Sequence, residues 1–254
     1  MQKASPSLII PNWPAPNIIR AFSSTRIGGV SQACYQGLNL AQHVNDEVVC
    51  VEQNRQQLQQ LTQYPPALWL EQVHSNIAIE YDLKALNSQV DASFTQHSQQ
   101  TCVVMTADCL PVLFCNQAGD WIAAAHAGWR GLADGVLLNT LKNYSGTSSL
   151  MAWIGPAISQ KYFEVGDDVK QVFIEQDSDN SQFFVEKANG KWLCDLAGIA
   201  KQQLQNNGVE VYLSNLCSFS DSEHFYSYRR DGRTGRMASL IWIDTNAPNG
   251  ASND

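Results

Sequence analysis

Two short apolar runs hold the centre of the chain. Leu110–Cys115 and Trp121–Ala125 contain no charged residue, and a polar turn, Asn116–Asp120 with Gly119, separates them. Runs of this length, closed by turn residues, predict strands buried on both faces and joined as a hairpin. Around that hairpin, shorter apolar stretches predict strands at Ile18–Ser23, Ala67–Val73, Ile77–Tyr81, Thr101–Met105, Leu150–Ile154, Val209–Leu213 and Met237–Ile243. Phe183–Leu193 reads as a second hairpin, turning at Asn189-Gly190.

Helical spacing falls between these strands. Asn45-Asp46 is positioned to cap a helix reaching Thr62, with a sparse apolar face of Val48, Val51, Leu58 and Leu61; Gln53, Asn54 and Gln56 fill its polar side. A helical run starts at Leu132 and continues through Val136, Leu137, Thr140 and Leu141. Two more helices are expected, from Asp167 to Glu175 and after Asp195, the latter with Gly208 just past its end. Between Ser24 and Ala41 the chain carries Gly28, Gly29 and Gly37 and few helix signals, so it reads as a long irregular loop, a common place for function. Its glycines do not follow a nucleotide-binding spacing. With no repeat, linker or shift in composition, the 1–254 span is expected to be one α+β domain of mixed sheets with peripheral helices.

Bulk properties narrow the partners. A formal net charge of −8 and no Lys/Arg block before the RRDGRTGR stretch argue against nucleic acid or an anionic membrane. No apolar run is long enough to span a bilayer, and no secretory leader is read at the start. Seven cysteines, irregularly spaced and without a CxxC pair, point to free thiols and a cytoplasmic protein. No oligomeric state is read from the chain.

The chemistry sits at the hairpin's open end. Cys109 opens the first strand and His126 closes the second, so the two face each other across the ladder; His74 ends the Ala67–Val73 stretch. Two imidazoles and a thiolate suit Zn²⁺ with one open position, the arrangement of a catalytic zinc. The separations, 109 − 74 = 35 and 126 − 109 = 17, are not those of a short metal motif. A buried structural histidine and cysteine, a Cys109–His126 nucleophile–base pair and a blue-copper centre (Cu²⁺) stand beside zinc on residue types alone. A multi-copper assembly does not, because five scattered histidines (43, 74, 97, 126 and 224) are too few. Asp91 is a candidate to orient a histidine. Arg26, Arg130, Arg229 and Arg230 are candidates for binding an anionic substrate group, helped by the glycine-flanked turn after His126. Tyr226, Tyr228 and Trp129 are candidates to stack on a ring.

The order of motifs adds a resemblance. STRIGGVS, GLNLAQHV, QVHS, VDA, TADCLPVLF, AAAHAGWRGL, WIGPAI, FEVG and YSYRRDGRTGRMAS follow one another from about Ile18 to Ile243. In this order they resemble the YfiH-like family, also called the polyphenol oxidase or laccase-domain family. The resemblance implies a cytotoxic-factor-type cysteine-hydrolase fold and a zinc site made by His74, Cys109 and His126. It also implies purine nucleoside phosphorylase activity on adenosine, inosine or methylthioadenosine with phosphate, and adenosine deaminase activity. Editing of a wrongly serine-bearing UDP-MurNAc peptidoglycan precursor, and a copper-dependent polyphenol oxidase, are the alternatives it carries. Asn45, where a glycine is usual, and Ser218, where a threonine is usual, depart from the pattern away from the three ligands.

Overall fold

The computed structural model describes residues 5–85 and 89–246; the outer ends of the 1–254 span lie outside them. Two sheets stack face to face. The first has the strand order Leu8–Ile9, Ile19–Ser24, Met237–Ile243, Thr101–Thr106, Ala67–Leu68. The second runs Glu210–Leu213, Leu150–Ile154, Leu110–Asn116, Ile122–Ala127, Ala92–Thr95, Ala78–Glu80. A small third sheet, Glu164–Gly166, Lys191–Cys194 and Phe184–Lys187, sits beside them.

The central hairpin is apolar on both faces because both are covered. Leu113, Cys115, Ile122 and Ala124 face the first sheet and pack with Cys102, Val104 and Ile241. Leu110, Val112, Phe114, Ala123 and Ala125 face the other way and pack against Leu132, Val136, Leu137, Phe173 and Ile199. The outer face of the first sheet, with Val103, Met105, Leu240 and Trp242, is covered by Leu38, Leu40 and Leu58. The result is a helix, a sheet, a second sheet and a layer of helices, stacked in that order.

Several local expectations are corrected. The Asn45-Asp46 cap does not form: the helix runs Val48–Thr62 with Glu47 at its N-cap and no side-chain cap bond. Asp46 instead accepts hydrogen bonds from Ser31 Oγ (2.6 Å) and Asn39 Nδ2 (2.9 Å). Val48 and Leu61 are exposed, whereas Asn54, read as solvent-facing, is fully buried. Its Oδ1 accepts from Val30 N, and its Nδ2 donates to Ser31 Oγ and Asn39 O, so it is the post around which the glycine loop is wound. The single helix after Gly131 is broken: Trp129–Ala133 and Val136–Leu141 meet at Gly135, which has a φ of 89°. The strand expected over Ala67–Val73 stops at Leu68. Beyond it Gln72 takes over the pairing with its side chain, accepting from Met105 N (2.7 Å) and donating to Met105 O (2.8 Å). Met237–Ile243, the turn at Asn189-Gly190 and the Asp195 cap, which accepts from Gly198 N, stand as expected.

Candidate metal centre

His74, Cys109 and His126 come together at one end of the space between the two sheets. Each offers one donor atom, and the donors lie within 4.8 Å of one another. The hairpin register pairs Pro111 with His126, so Cys109 is diagonal to His126 rather than opposite it, two residues along on the same face. Cys109 Sγ is 3.8 Å from His74 Nε2, and the two imidazole rings stand edge to face with centroids 4.8 Å apart. His126 is buried, Cys109 half-buried and His74 exposed, so the cluster opens to solvent on the His74 side.

One carboxylate holds both histidines. Asp91, fully buried, accepts from His126 Nδ1 at 2.7 Å, which leaves Nε2 to face the cluster. It also accepts from the backbone N–H groups of Val73, His74 and Ser75 (3.2, 3.0 and 2.6 Å) and from Ser75 Oγ (2.8 Å). This nest fixes the bend at His74, whose φ is 63°. A second buried carboxylate, Asp108, precedes Cys109 and has a φ of 94°. It accepts from Ser218 Oγ, Ser227 Oγ and Arg229 N, which anchors the turn before Cys109 to the C-terminal segment.

Two glycines make room for the ligands. A Cβ on Gly128 would lie 2.5 Å from His74 Cδ2 and 3.1 Å from Cys109 Sγ. A Cβ on Gly131 would lie 2.9 Å from the Ser75 carbonyl, so the short helix beside the hairpin could not approach the His74 loop.

The charges of the cluster are coupled. Burial pushes the Cys109 thiol up, but the His126 charge and hydrogen bonds from both histidines outweigh it and bring the pKa to about 6. Burial pushes His126 down, while the Cys109 charge and the Asp91 hydrogen bond outweigh it and raise the pKa to about 9. Asp91 is raised by burial but held below its ordinary value by His126 and Ser75. The metal-free cluster is therefore a thiolate–imidazolium pair near neutral pH. Replacing the imidazolium proton with a cation gives a sulfur–nitrogen–nitrogen donor set with one open side, which fits zinc. All five histidines lie among the described residues, and only His74 and His126 belong to the cluster, so a multi-copper assembly lacks ligands here.

The arginines expected at the site are placed differently from one another. Arg230 spends its guanidinium on the carbonyls of Ser218, Phe219 and Phe225 and on Asp231. Arg26 donates to the Ser222 and Gln36 carbonyls and lies over the Tyr226 ring. Arg229 reaches away to the Glu164 carbonyl, and Arg130 lies over Trp129, exposed. Tyr226 is buried, its hydroxyl donating to the carbonyls of Tyr35 and Gln36, whereas Tyr228 is 61% exposed. Gly29 and Gly37 serve packing: a Cβ on either would strike the backbone of the facing loop segment. Sequence reasoning missed Asp108, the role of Gly128 and a further arginine, Arg236. Only the position of Arg236, immediately before the last strand, marks it in the chain. A cavity of about 1080 Å³ lies against Trp13, Phe22 and Trp242 and includes none of the three donors, so donor chemistry rather than volume locates the centre.

Comparison with known proteins follows the same geometry. A family model described as multi-copper polyphenol oxidoreductase laccase matches residues 20–244. The chain is 45% identical over 240 residues to the purine nucleoside phosphorylase YfiH of Escherichia coli, covering 93% of this chain and 98% of that one. It is 46% identical over 241 residues to a purine nucleoside phosphorylase of Haemophilus influenzae, covering 93% and 99%. A solved structure from Neisseria meningitidis superposes with a TM-score of 0.89 at 45% identity, covering 93% of this chain and 99% of that one. YlmD from Geobacillus stearothermophilus gives 0.85 at 26% identity, covering 93% and 99%. The resemblance and the α+β fold read from the sequence are both borne out.

Proposed function

The chain belongs to the multi-copper polyphenol oxidoreductase laccase family, and from that premise we propose that it is a zinc-dependent purine nucleoside phosphorylase. Its substrates in this reading are adenosine, inosine or methylthioadenosine with phosphate, and it also deaminates adenosine. The observation that carries the reading is the convergence of His74, Cys109 and His126, with the far nitrogen of His126 fixed on Asp91. Relatives named purine nucleoside phosphorylase, aligned over nearly their whole length, support it. Zinc in this donor set supplies Lewis acidity and acidifies water. The protein's own groups do the rest. Asp91 fixes the His126 tautomer, Cys109 serves as a deprotonated ligand, and Gly128 keeps the ligand side clear. The open side by His74 admits the substrate.

Incubating zinc-loaded protein with adenosine, with and without phosphate, tests this. Adenine plus ribose 1-phosphate formed only with phosphate is the expected result, and inosine formed without phosphate is expected for the deaminase. Absence of both products with metal-loaded protein would remove the reading.

A second reading has its own support. Cys109 as thiolate, His126 as its proton partner and Asp91 on Nδ1 form a nucleophile, base and orienting group, the needs of a cysteine amidase acting on the peptidoglycan precursor. In that case Cys109→Ser loses amide cleavage, and a covalent adduct forms on Cys109 during turnover. A copper oxidoreductase would instead show a strong visible band from a Cu(II)–thiolate centre, where zinc shows none.

A further inference from the structure

Taking a cation out of water costs free energy unless a carboxylate or another anion meets it. Arg236 is half-buried, and burial pulls its pKa down. Its Nη1 donates to the carbonyls of Thr234 (2.9 Å) and Gly235 (3.0 Å), both in its own turn. Among the described residues its Nε and Nη2 make no hydrogen bond and no carboxylate pairs with it. Two nitrogens of a planar fork, with three N–H donors between them, are left over. The hydroxyl of Thr234, in the same turn, is also buried without a partner.

The backbone sets this fork beside the metal centre. Met237 pairs with Thr106, so Arg236 stands at the strand end facing the turn that leads into Cys109. Of the charges that favour its protonated form, Cys109 acts most strongly, followed by Asp108. A second cation adjoins it through one residue. Leu40 donates its N–H to the Arg236 carbonyl (3.3 Å), and the Leu40 carbonyl accepts from Arg55 Nε (2.9 Å). Arg55 is half-buried, lies 3.8 Å over the Trp69 ring and has no carboxylate partner among the described residues. His43 is close enough to be acted on by both arginines and by His126, with Glu71 acting the other way. This corner therefore concentrates positive charge and fixed N–H donors.

We propose that Arg236, with Arg55 beside it, forms the oxyanion subsite of this centre and holds inorganic phosphate next to His74, Cys109 and His126. The assignment rests on the phosphorylase reading and adds Arg236 to the four arginines expected from the sequence. A guanidinium fork matches two phosphate oxygens. In the reaction an oxygen of hydrogen phosphate forms the bond to C1′ while the C1′–N9 bond breaks. The electron pair leaves with the purine, and the proton lost by phosphate balances the one the purine gains. Arg236 holds the anion in place and exchanges no proton.

The test is calorimetric titration of inorganic phosphate into zinc-loaded wild type, Arg236→Gln, Arg236→Lys and Arg20→Gln, with KM values for phosphate and adenosine measured on the same preparations. Among the described residues the Arg236 side chain hydrogen-bonds within its own turn and otherwise lies 5.8 Å from the centre of the exposed Tyr228 ring, so the variants are expected to fold, which thermal melting checks. Arg236→Gln is expected to weaken phosphate binding roughly 10- to 100-fold, the worth of charge-assisted hydrogen bonds. The phosphate KM should rise with it and the adenosine KM far less. Arg236→Lys should keep part of the affinity and Arg20→Gln all of it. Unchanged phosphate affinity in folded Arg236→Gln, no phosphate binding by wild type, or Arg236-dependent binding of adenosine 5′-monophosphate without binding of free phosphate would each overturn the subsite. An Arg236-dependent phosphate site in a protein that forms no ribose 1-phosphate would keep the subsite and remove the phosphorylase reading, so the two failures are told apart.

Discussion

Asp91 and Asp108 are both buried carboxylates next to the three-residue cluster, yet they do different things. Asp91 accepts five hydrogen bonds, one of them from the ring of His126 itself. Asp108 accepts three, none of them from a proposed ligand. One carboxylate sets the proton and the direction of a donor atom. The other sets only where the chain stands before Cys109. A buried acid beside a metal centre is therefore not by itself part of the chemistry; what matters is whether it touches a donor.

The largest effect expected from this contrast is that of Asp91→Asn. An amide keeps one acceptor oxygen and presents N–H in place of the other, so either the groups on Oδ1 (His74 N and His126 Nδ1) or those on Oδ2 (Val73 N, Ser75 N and Ser75 Oγ) lose their acceptor. Zinc affinity should fall roughly 10- to 100-fold, as for other groups that orient a histidine ligand. Stability should fall by about 3 kcal/mol, the cost of breaking a buried charged network. Competitive zinc titration and urea unfolding measure the two. Asp108→Asn should reverse the balance: a stability loss of about 2 kcal/mol from the weakened buried hydrogen bonds, with zinc affinity nearly unchanged. Equal losses of zinc affinity in the two variants would erase the distinction. Gly128→Ala probes the space rather than the charge. Its Cβ would displace the His74 ring, and zinc affinity should drop by about tenfold, the effect of a misplaced ligand.

The smallest expected effect is an absence of pH dependence. In the metal-free protein His126 rises to about 9, so its contribution is complete below its ordinary pKa of 6.5 and is lost as pH rises through 9. Cys109 falls to about 6 from its ordinary 9.0, so its contribution is present above 9.0 and is lost as pH falls through 6. Between 6.5 and 9 the unfolded chain carries the proton on sulfur and the folded chain on nitrogen. Proton counts match, and the pair adds no slope. Urea unfolding at several pH values should show a constant difference between wild type and Cys109→Ala across this window. A difference growing by about 1.4 kcal/mol per pH unit would mean that Cys109 ionises without His126 holding the proton.

Much of the fold was legible where burial leaves a simple pattern. Leu110–Asn116 and Ile122–Ala127 are covered on both faces and read as continuous apolar runs. Met237–Ile243 did so for the same reason, being buried throughout. The convergence of Cys109 and His126 followed from the hairpin. His74 was harder, because its position depends on side-chain pairing by Gln72 and on the Asp91 nest, neither of which has a periodic signal. Asn54 breaks the pattern because a polar residue on a helix usually faces water; here a loop supplies the partners that let it be buried. Arg236 carries no signal of its own beyond its place before the last strand, and the hydrogen bonds of Arg26, Arg229 and Arg230 to distant carbonyls have no periodic signal either.

In the proposed centre Asp91 presents His126 to a metal held together with His74 and Cys109. X-ray absorption at the zinc edge of the loaded protein tests it most directly. One zinc per chain with one sulfur and two imidazole nitrogens among its ligands, and loss of one imidazole in His126→Ala, is the expected result. A zinc shell without sulfur, or one unchanged by His126→Ala, would contradict it.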